Sequence, residues 1–281
     1  MDQIDCPDKW EWLREVYPKV RRQLPPEYEA IYKEEYQRNR SGKGTAAGIA
    51  VRLEQWMQRK VAMHPQTSPL LELGAGTLNH VPLEGDVDLY DVVEPFIDLY
   101  RDSPYVRRIR HFYPDISDIP PENSYARIIS VAVLEHVLDL PALVAHACLL
   151  LKDGGRFVAG IPSEGGLLWS FAWRFGTGLD FWLRRRLSYG VLLRYEHVNT
   201  AKEIIAVLNI FFNSVSVDRF PLRLLHGSFY TFIEAKIPRK DMAAHFLRGK
   251  PDFVKGLALL SGSVRDADVT TDLAGNSVSR S

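Results

Sequence analysis

The stretch Pro69-Leu70-Leu71-Glu72-Leu73-Gly74-Ala75-Gly76-Thr77 constrains this chain more than any other. A short apolar run carries an acidic residue and then breaks at once into Gly-x-Gly. This is how a first parallel strand, buried on both faces, enters a tight turn. The glycines let the backbone bend and approach a ligand that a Cβ would block. Alone, the motif also fits an ordinary strand-to-helix turn. About eighteen residues past Gly76, a second apolar run, Leu89-Tyr90-Asp91-Val92-Val93, ends in Glu94. A carboxylate about 20 residues past the glycines is placed to accept hydrogen bonds from both ribose hydroxyls. The pair is more informative than either part.

Two cofactor classes use this geometry. A dinucleotide site wants Gly-x-Gly-x-x-Gly, the third Gly opening a helix that holds a pyrophosphate. Here Asn79 stands third, and Pro82 and Gly85 leave room only for a short helix. A cofactor without a pyrophosphate fits better, and Glu72 beside the turn suits an ammonium group. Both features point to S-adenosylmethionine.

Composition narrows the class. The chain's 281 residues suffice for one large α/β domain with appended helices. With 35 acidic and 35 basic residues, no global field argues for nucleic acid or an anionic membrane. Cys6 and Cys148 stand far apart, so neither a disulfide framework nor a zinc site is indicated. No signal-peptide pattern opens the chain and no apolar run approaches a membrane span, so the expected location is cytoplasmic.

Along the chain, 1–64 reads as an N-terminal helical arm or cap, with helical segments around Trp10–Tyr17, over 28–38 and from Thr45 to about Met63. The loop 41–45 superficially resembles a phosphate loop, but no strand precedes it and the spacing is wrong. From 65 to 238 strands alternate with helices, the pattern of a parallel sheet. The predicted strands are 69–73, 88–93, 107–112, 126–133 and 156–161, with a helix over 139–151 and a turn at Asp153-Gly154-Gly155. After an insertion at 165–195, a helix over 200–211 leads to strands 213–220 and 227–237. Only a short turn separates those two, so they form an antiparallel hairpin, unlike a doubly wound dehydrogenase. Residues 239–281 read as a helical extension with a mobile tail over 261–281.

Five elements in this order resemble the class I S-adenosylmethionine-dependent methyltransferases, of the broad small-molecule "type 11" group. They are Glu72-Leu73-Gly74-Ala75-Gly76, Glu94-Pro95, Asp115 with Ile119-Pro120, Val133-Leu134-Glu135-His136-Val137, and Leu151-Lys152-Asp153-Gly154-Gly155-Arg156-Phe157. The resemblance implies an α/β, Rossmann-like, seven-stranded and mostly parallel sheet. It also assigns roles by position. Gly74 and Gly76 pass under the cofactor, Glu72 orders the methionine ammonium through water, and Glu94 holds the ribose. Asp115 meets the adenine amino group with Ile116 against the ring, and Ser130 and Val131 offer backbone carbonyls. Leu78 stands where many relatives have a third Gly.

Methyl transfer from a sulfonium needs the acceptor held in line in a dry pocket, and a hydroxyl acceptor also needs a proton acceptor. His136, just after strand four, is the first candidate, because its ordinary pKa of about 6.5 lies near neutrality. It reads equally as a histidine packing a helix start. His197, in Glu196-His197-Val198-Asn199-Thr200, is the second candidate. Glu135 reads as a helix-start carboxylate, and Asn199 or Thr200 as a helix cap. The eight histidines show no ligand spacing, so no metal site is expected.

The insertion interleaves Trp169, Phe171, Trp173, Phe175, Phe181, Trp182, Tyr189 and Tyr195 with Arg174, Arg184, Arg185, Arg186 and Arg194. It reads as a lid over the pocket or a subdomain packed on the sheet or on a second copy, in a homodimer. Gly176, Gly178 and Gly190 argue against a long membrane-lying stripe. Aromatic platforms suit sugar rings and arginines suit phosphates. The expected activity is therefore O-methylation of a small-molecule acceptor such as a saccharide or nucleotide-linked sugar. A nicotinamide-dependent oxidoreductase and a non-catalytic binding protein of the same fold are the rival readings.

Overall fold

The computed structural model describes residues 9–29, 31–32, 47–63, 67–175 and 177–248. The loop at 41–45, the rest of the 28–38 helix, Cys6 and the expected tail lie outside them.

Helices α1 (Lys9–Val16) and α2 (Ala47–Ala62) precede strands β1 (Leu70–Leu73) and β2 (Tyr90–Val93). The short helix α3 (Ile97–Tyr100) leads to β3 (His111–Tyr113) and β4 (Tyr125–Val131). Helix α4 (Leu140–Leu150) and strand β5 (Leu151–Pro162) follow. The insertion forms α5 (Leu167–Phe175), α6 (Thr177–Arg185) and α7 (Tyr189–Glu196). Helix α8 (Ala201–Phe211), β6 (Phe212–Pro221), β7 (Ser228–Pro238) and α9 (Lys240–Arg248) complete the described chain. The seven-stranded sheet has the order β3-β2-β1-β4-β5-β7-β6; β1 to β5 pair in parallel, and β7 runs antiparallel between β5 and β6. The Rossmann-like sheet and its antiparallel closing hairpin are those expected.

Every residue of β1 and β2 is buried, as a sheet covered on both faces requires. On one face Leu71, Leu73, Ile128 and Phe157 pack with α4, α8, Leu13 of α1 and Phe246 of α9. On the other, Leu70, Ile129 and Val158 pack against Met57 and Val61 of α2. The insertion builds a third cluster, in which Phe181 and Leu192 meet Tyr28 and Tyr32 of the N-terminal segment. Phe171 and Trp182 of the insertion remain exposed.

Boundaries differ where local chemistry overrode the apolar pattern. Residues 106–108 wind into a 3-10 turn, so β3 is displaced toward its carboxyl end, to His111–Tyr113. The predicted turn at 153–155 is a bulge inside β5: Tyr125 pairs with Leu151 and Arg127 already with Arg156. The helix expected after β1 is a 3-10 turn at Val81–Leu83. Thr200 caps α8 through a capping box with Glu203. Asn199 instead clamps a distant turn, described below.

Asp91 ties together the amino-terminal side of the sheet. Fully buried in β2, it accepts hydrogen bonds from Arg110 Nε and Nη2 and, at 2.8 Å, from the Tyr125 hydroxyl. Burial alone would raise its pKa. The hydrogen bonds from Arg110 and Tyr125, with the charges of Arg110 and His111, outweigh burial and hold it below the usual value. A depressed folded pKa stabilises the fold above the unfolded pKa of about 3.9, and that stabilisation is lost as pH falls through the folded value. Asp91→Asn should therefore cost about 2 kcal/mol at neutral pH in urea unfolding and flatten the loss of stability below about pH 4. An unchanged acid limb would contradict this role.

Candidate functional site

The Gly turn after β1 is built by sterics. Gly74 adopts φ +69°, and a Cβ there would sit 2.5 Å from a Val133 methyl carbon. Gly76 adopts φ +53°, and a Cβ there would meet nothing within 4 Å, so that side of the turn is open. Leu78 also takes a left-handed φ of +65°, a conformation that costs a non-Gly residue about 1 kcal/mol or more. Its side chain is fully buried beside Val81 and Met57, and this packing holds the conformation where a glycine would adopt it freely.

Glu94, at the end of β2, faces this turn. One carboxylate oxygen accepts the Gly76 N–H at 2.8 Å and the other accepts the Phe96 N–H at 3.1 Å. The two N–H donors fix the plane of the carboxylate beside the turn. Asp115 caps the turn after β3, accepting from the Ser117 N–H at 3.0 Å and the Ser117 hydroxyl at 2.8 Å. Ile116 packs into the main core with Ile119 and α4. Ser130 is fully buried, in register with Leu73 and Ala159, and its hydroxyl finds no partner among the described residues. Val131 shares a cluster with Ala75 of the Gly turn.

Glu72 faces the α2 side, where the Tyr90 hydroxyl donates to it at 2.6 Å. Burial lifts its pKa above the usual carboxylate value, against the pull of His80 and of the Tyr90 hydrogen bond. His80 is itself held by Gln58 and Glu84, and Glu84 pairs with the buried Arg127. Sequence patterning gave no sign of this interior network, whose members lie on α2, the 81–83 turn and three strands.

The other half of the site lies beyond β4. The turn Leu134–His136 is zipped to the segment before α8: Glu135 carbonyl accepts from Val198 and Asn199 N–H at 2.8 and 3.0 Å. The Asn199 side chain donates to the carbonyls of Leu134 and Val137, and Tyr17 donates to Asn199. These bonds bring His136 and His197 together, with ring centroids 4.7 Å apart and planes at 85°. His136 Nδ1 donates to the Glu196 carbonyl at 3.0 Å. His197 Nδ1 donates to Glu164 at 2.7 Å, and the Trp169 indole N–H donates to the same oxygen.

Their electrostatics differ. Burial, reinforced by His197 and Arg21, lowers the His136 pKa to about 3, so its imidazole is neutral. Burial also acts to lower His197, but the Glu164 hydrogen bond and the charges of Glu135, Glu164 and Glu196 outweigh it and raise the value. As free groups, His197 is the stronger base. Glu135 is a helix-start carboxylate, in the first turn of the 3-10 helix at Leu134–His136, but a buried one. It is 2% exposed, one oxygen has no hydrogen-bond partner among the described residues, and burial pushes its pKa up to about 7. Sequence reasoning also missed Glu164, because its partners come from residues 5 and 33 positions away.

The open turn at Gly76 and the preset Glu94 carboxylate fit a nucleoside-bearing methyl donor. Gly74→Ala should destabilise the chain by about 2 kcal/mol or more, since both the left-handed φ and Val133 oppose a methyl group. Thermal melting showing no change would rule out this steric account.

Among solved structures the chain resembles an O-methyltransferase family protein from Burkholderia thailandensis (15% identity, TM-score 0.49, 82% of this chain and 68% of that one). It also resembles a Thermotoga maritima protein described as an S-adenosylmethionine-dependent, possible histamine N-methyltransferase (16%, 0.49, 73% and 96%). A third is the magnesium protoporphyrin IX methyltransferase of Synechocystis with bound S-adenosylhomocysteine (16%, 0.48, 73% and 94%). No curated protein sequence matches. The family model of the methyltransferase domain matches residues 38–200, more than half of the chain. The chain belongs to that family and is an S-adenosylmethionine-dependent methyltransferase.

Proposed function

We infer that the protein methylates a hydroxyl of a small-molecule acceptor, such as a saccharide or nucleotide-linked sugar. The observation that supports this reading is the imidazole and carboxylate cluster of Glu135, His136 and His197, gathered just past the carboxyl end of β4. Ligands of open α/β sheets bind at that end of the strands. When bound, S-adenosylmethionine supplies a methyl group on an activated sulfonium.

This chain's residues do the rest. Glu94 holds the ribose hydroxyls, already oriented by two backbone N–H groups. Gly74 and Gly76 keep the floor of the site clear of side chains. Glu72, a buried carboxyl beside the Gly turn that accepts from Tyr90, orders the methionine ammonium through water. Asp115 and the backbone of Ile116 meet the adenine edge, while the Ile116 side chain anchors that turn in the core. Ser130 and Val131 supply strand-end carbonyls. The cluster beyond β4 receives the acceptor hydroxyl, and its proton is removed there. The arginines and aromatics at 165–195 give the acceptor a stacking and phosphate-binding wall.

A charge-assisted hydrogen bond contributes ~1.5–3 kcal/mol. Glu94→Ala should therefore weaken S-adenosylhomocysteine binding about tenfold or more by calorimetry; unchanged affinity would remove Glu94 from the site. With the acceptor identified by mass spectrometry over a panel of sugars and sugar nucleotides, His197→Ala should lower kcat by about a hundredfold. Cofactor affinity should not change. Full turnover in that variant would detach the cluster from the chemistry, and a panel with only methylated amines as products would replace oxygen by nitrogen.

A further inference from the structure

The same cluster has the construction of a metal centre, although its members lie too far apart in sequence to show ligand spacing. One nitrogen of each imidazole and one oxygen of Glu135 lie within 4.8 Å of one another. Glu135 Oε1 is 4.0 Å from His136 Nε2, and Glu135 Oε2 is buried with no hydrogen-bond partner among the described residues. A carboxylate oxygen left bare in the interior is costly unless something positive meets it.

Both imidazoles are oriented in the way metal-bound histidines are. His136 Nδ1 is committed to a backbone carbonyl and His197 Nδ1 to the Glu164 carboxylate, which leaves the two Nε2 atoms as the free donors. Trp169 in turn fixes Glu164. The near-perpendicular rings can direct two lone pairs at one point from different sides. A zinc-type ion takes ligands at about 2.0–2.2 Å, so its ligand atoms stand about 3.3–3.5 Å apart. Side-chain rotation by about 1 Å closes the present spacing. His136 is 25% and His197 13% exposed, so the pair is not sealed from solvent.

We propose that Glu135, His136 and His197 bind a divalent first-row transition-metal ion of the zinc class, with an open position for the acceptor oxygen. Two imidazoles favour such an ion over magnesium or calcium, which prefer all-oxygen shells. The inference rests on the reading that the acceptor hydroxyl meets this cluster, and it says how the proton is lost. A bound cation lowers the pKa of the hydroxyl it holds, the proton passes to water, and no strong base is required. His197 then serves as a ligand, and Glu164 as the positioning residue behind it.

The test is titration of the metal-stripped full chain with Co2+, followed by visible absorption, with Zn2+ as competitor. One Co2+ per chain is expected, with ligand-field bands abolished by Zn2+ and by the isosteric Glu135→Gln and His197→Gln substitutions. Glu164→Gln should weaken Co2+ binding about 10- to 100-fold while retaining the bands. Near-UV circular dichroism and S-adenosylhomocysteine affinity establish that each variant is folded. Absence of Co2+ binding by the wild-type chain, or bands that persist in both ligand variants, would overturn the metal centre. If S-adenosylhomocysteine still bound and His197 still controlled turnover, the cation alone would fail. Loss of turnover dependence on His197 would instead defeat the underlying reading.

Discussion

The arrangement depends first on one hydrogen bond, from the Gly76 N–H to the Glu94 carboxylate. It joins the turn after β1 to the end of β2, so the bare backbone and the anionic group are set against each other before any ligand arrives. Orienting a carboxylate in advance removes an ordering cost that binding would otherwise meet. The bond forms only because Gly74 and Gly76 take left-handed conformations, and Val133 leaves no room for a side chain at Gly74. The strands beneath are fixed by burial on both faces, which gives the site a rigid base.

A second assembly lies beyond β4. The carbonyl of Glu135 and the side chain of Asn199 bind two segments about sixty residues apart into one unit, with Tyr17 of the N-terminal segment closing it. The insertion contributes Trp169, which holds Glu164 against His197. The aromatic core shared by Tyr28, Tyr32, Phe181 and Leu192 keeps the insertion against the N-terminal segment. Peripheral elements therefore fix the rotamers of residues in the cluster.

The sheet was readable because its signals are local. Apolar runs, Gly turns and the missing helix between the last two strands each lie within a few residues of the feature they specify. Glu94 and the glycines were readable for the same reason. The β3 boundary was not, since a 3-10 turn at Val106–Arg108 uses residues that also suit a strand. Glu135 stands at a helix start, as its position indicates, but its burial is a tertiary property that no local pattern carries. Asn199 reads as a cap from its position before a helix, yet its amide serves carbonyls about sixty residues away. The imidazole pair shows no ligand spacing in the sequence for the same reason: its geometry comes from the Val198 and Asn199 N–H groups on the Glu135 carbonyl, not from periodicity.

The central claim is spatial: a cofactor gripped at Glu94 presents its sulfur toward the cluster beyond β4. A crystal structure of the chain soaked with S-adenosylhomocysteine measures this directly. The account predicts ribose hydroxyls in hydrogen-bond contact with both Glu94 oxygens and the sulfur facing His136 and His197 across a gap the size of an acceptor oxygen and a methyl group. A ribose bound elsewhere, or a sulfur turned away from the two imidazoles, would contradict it.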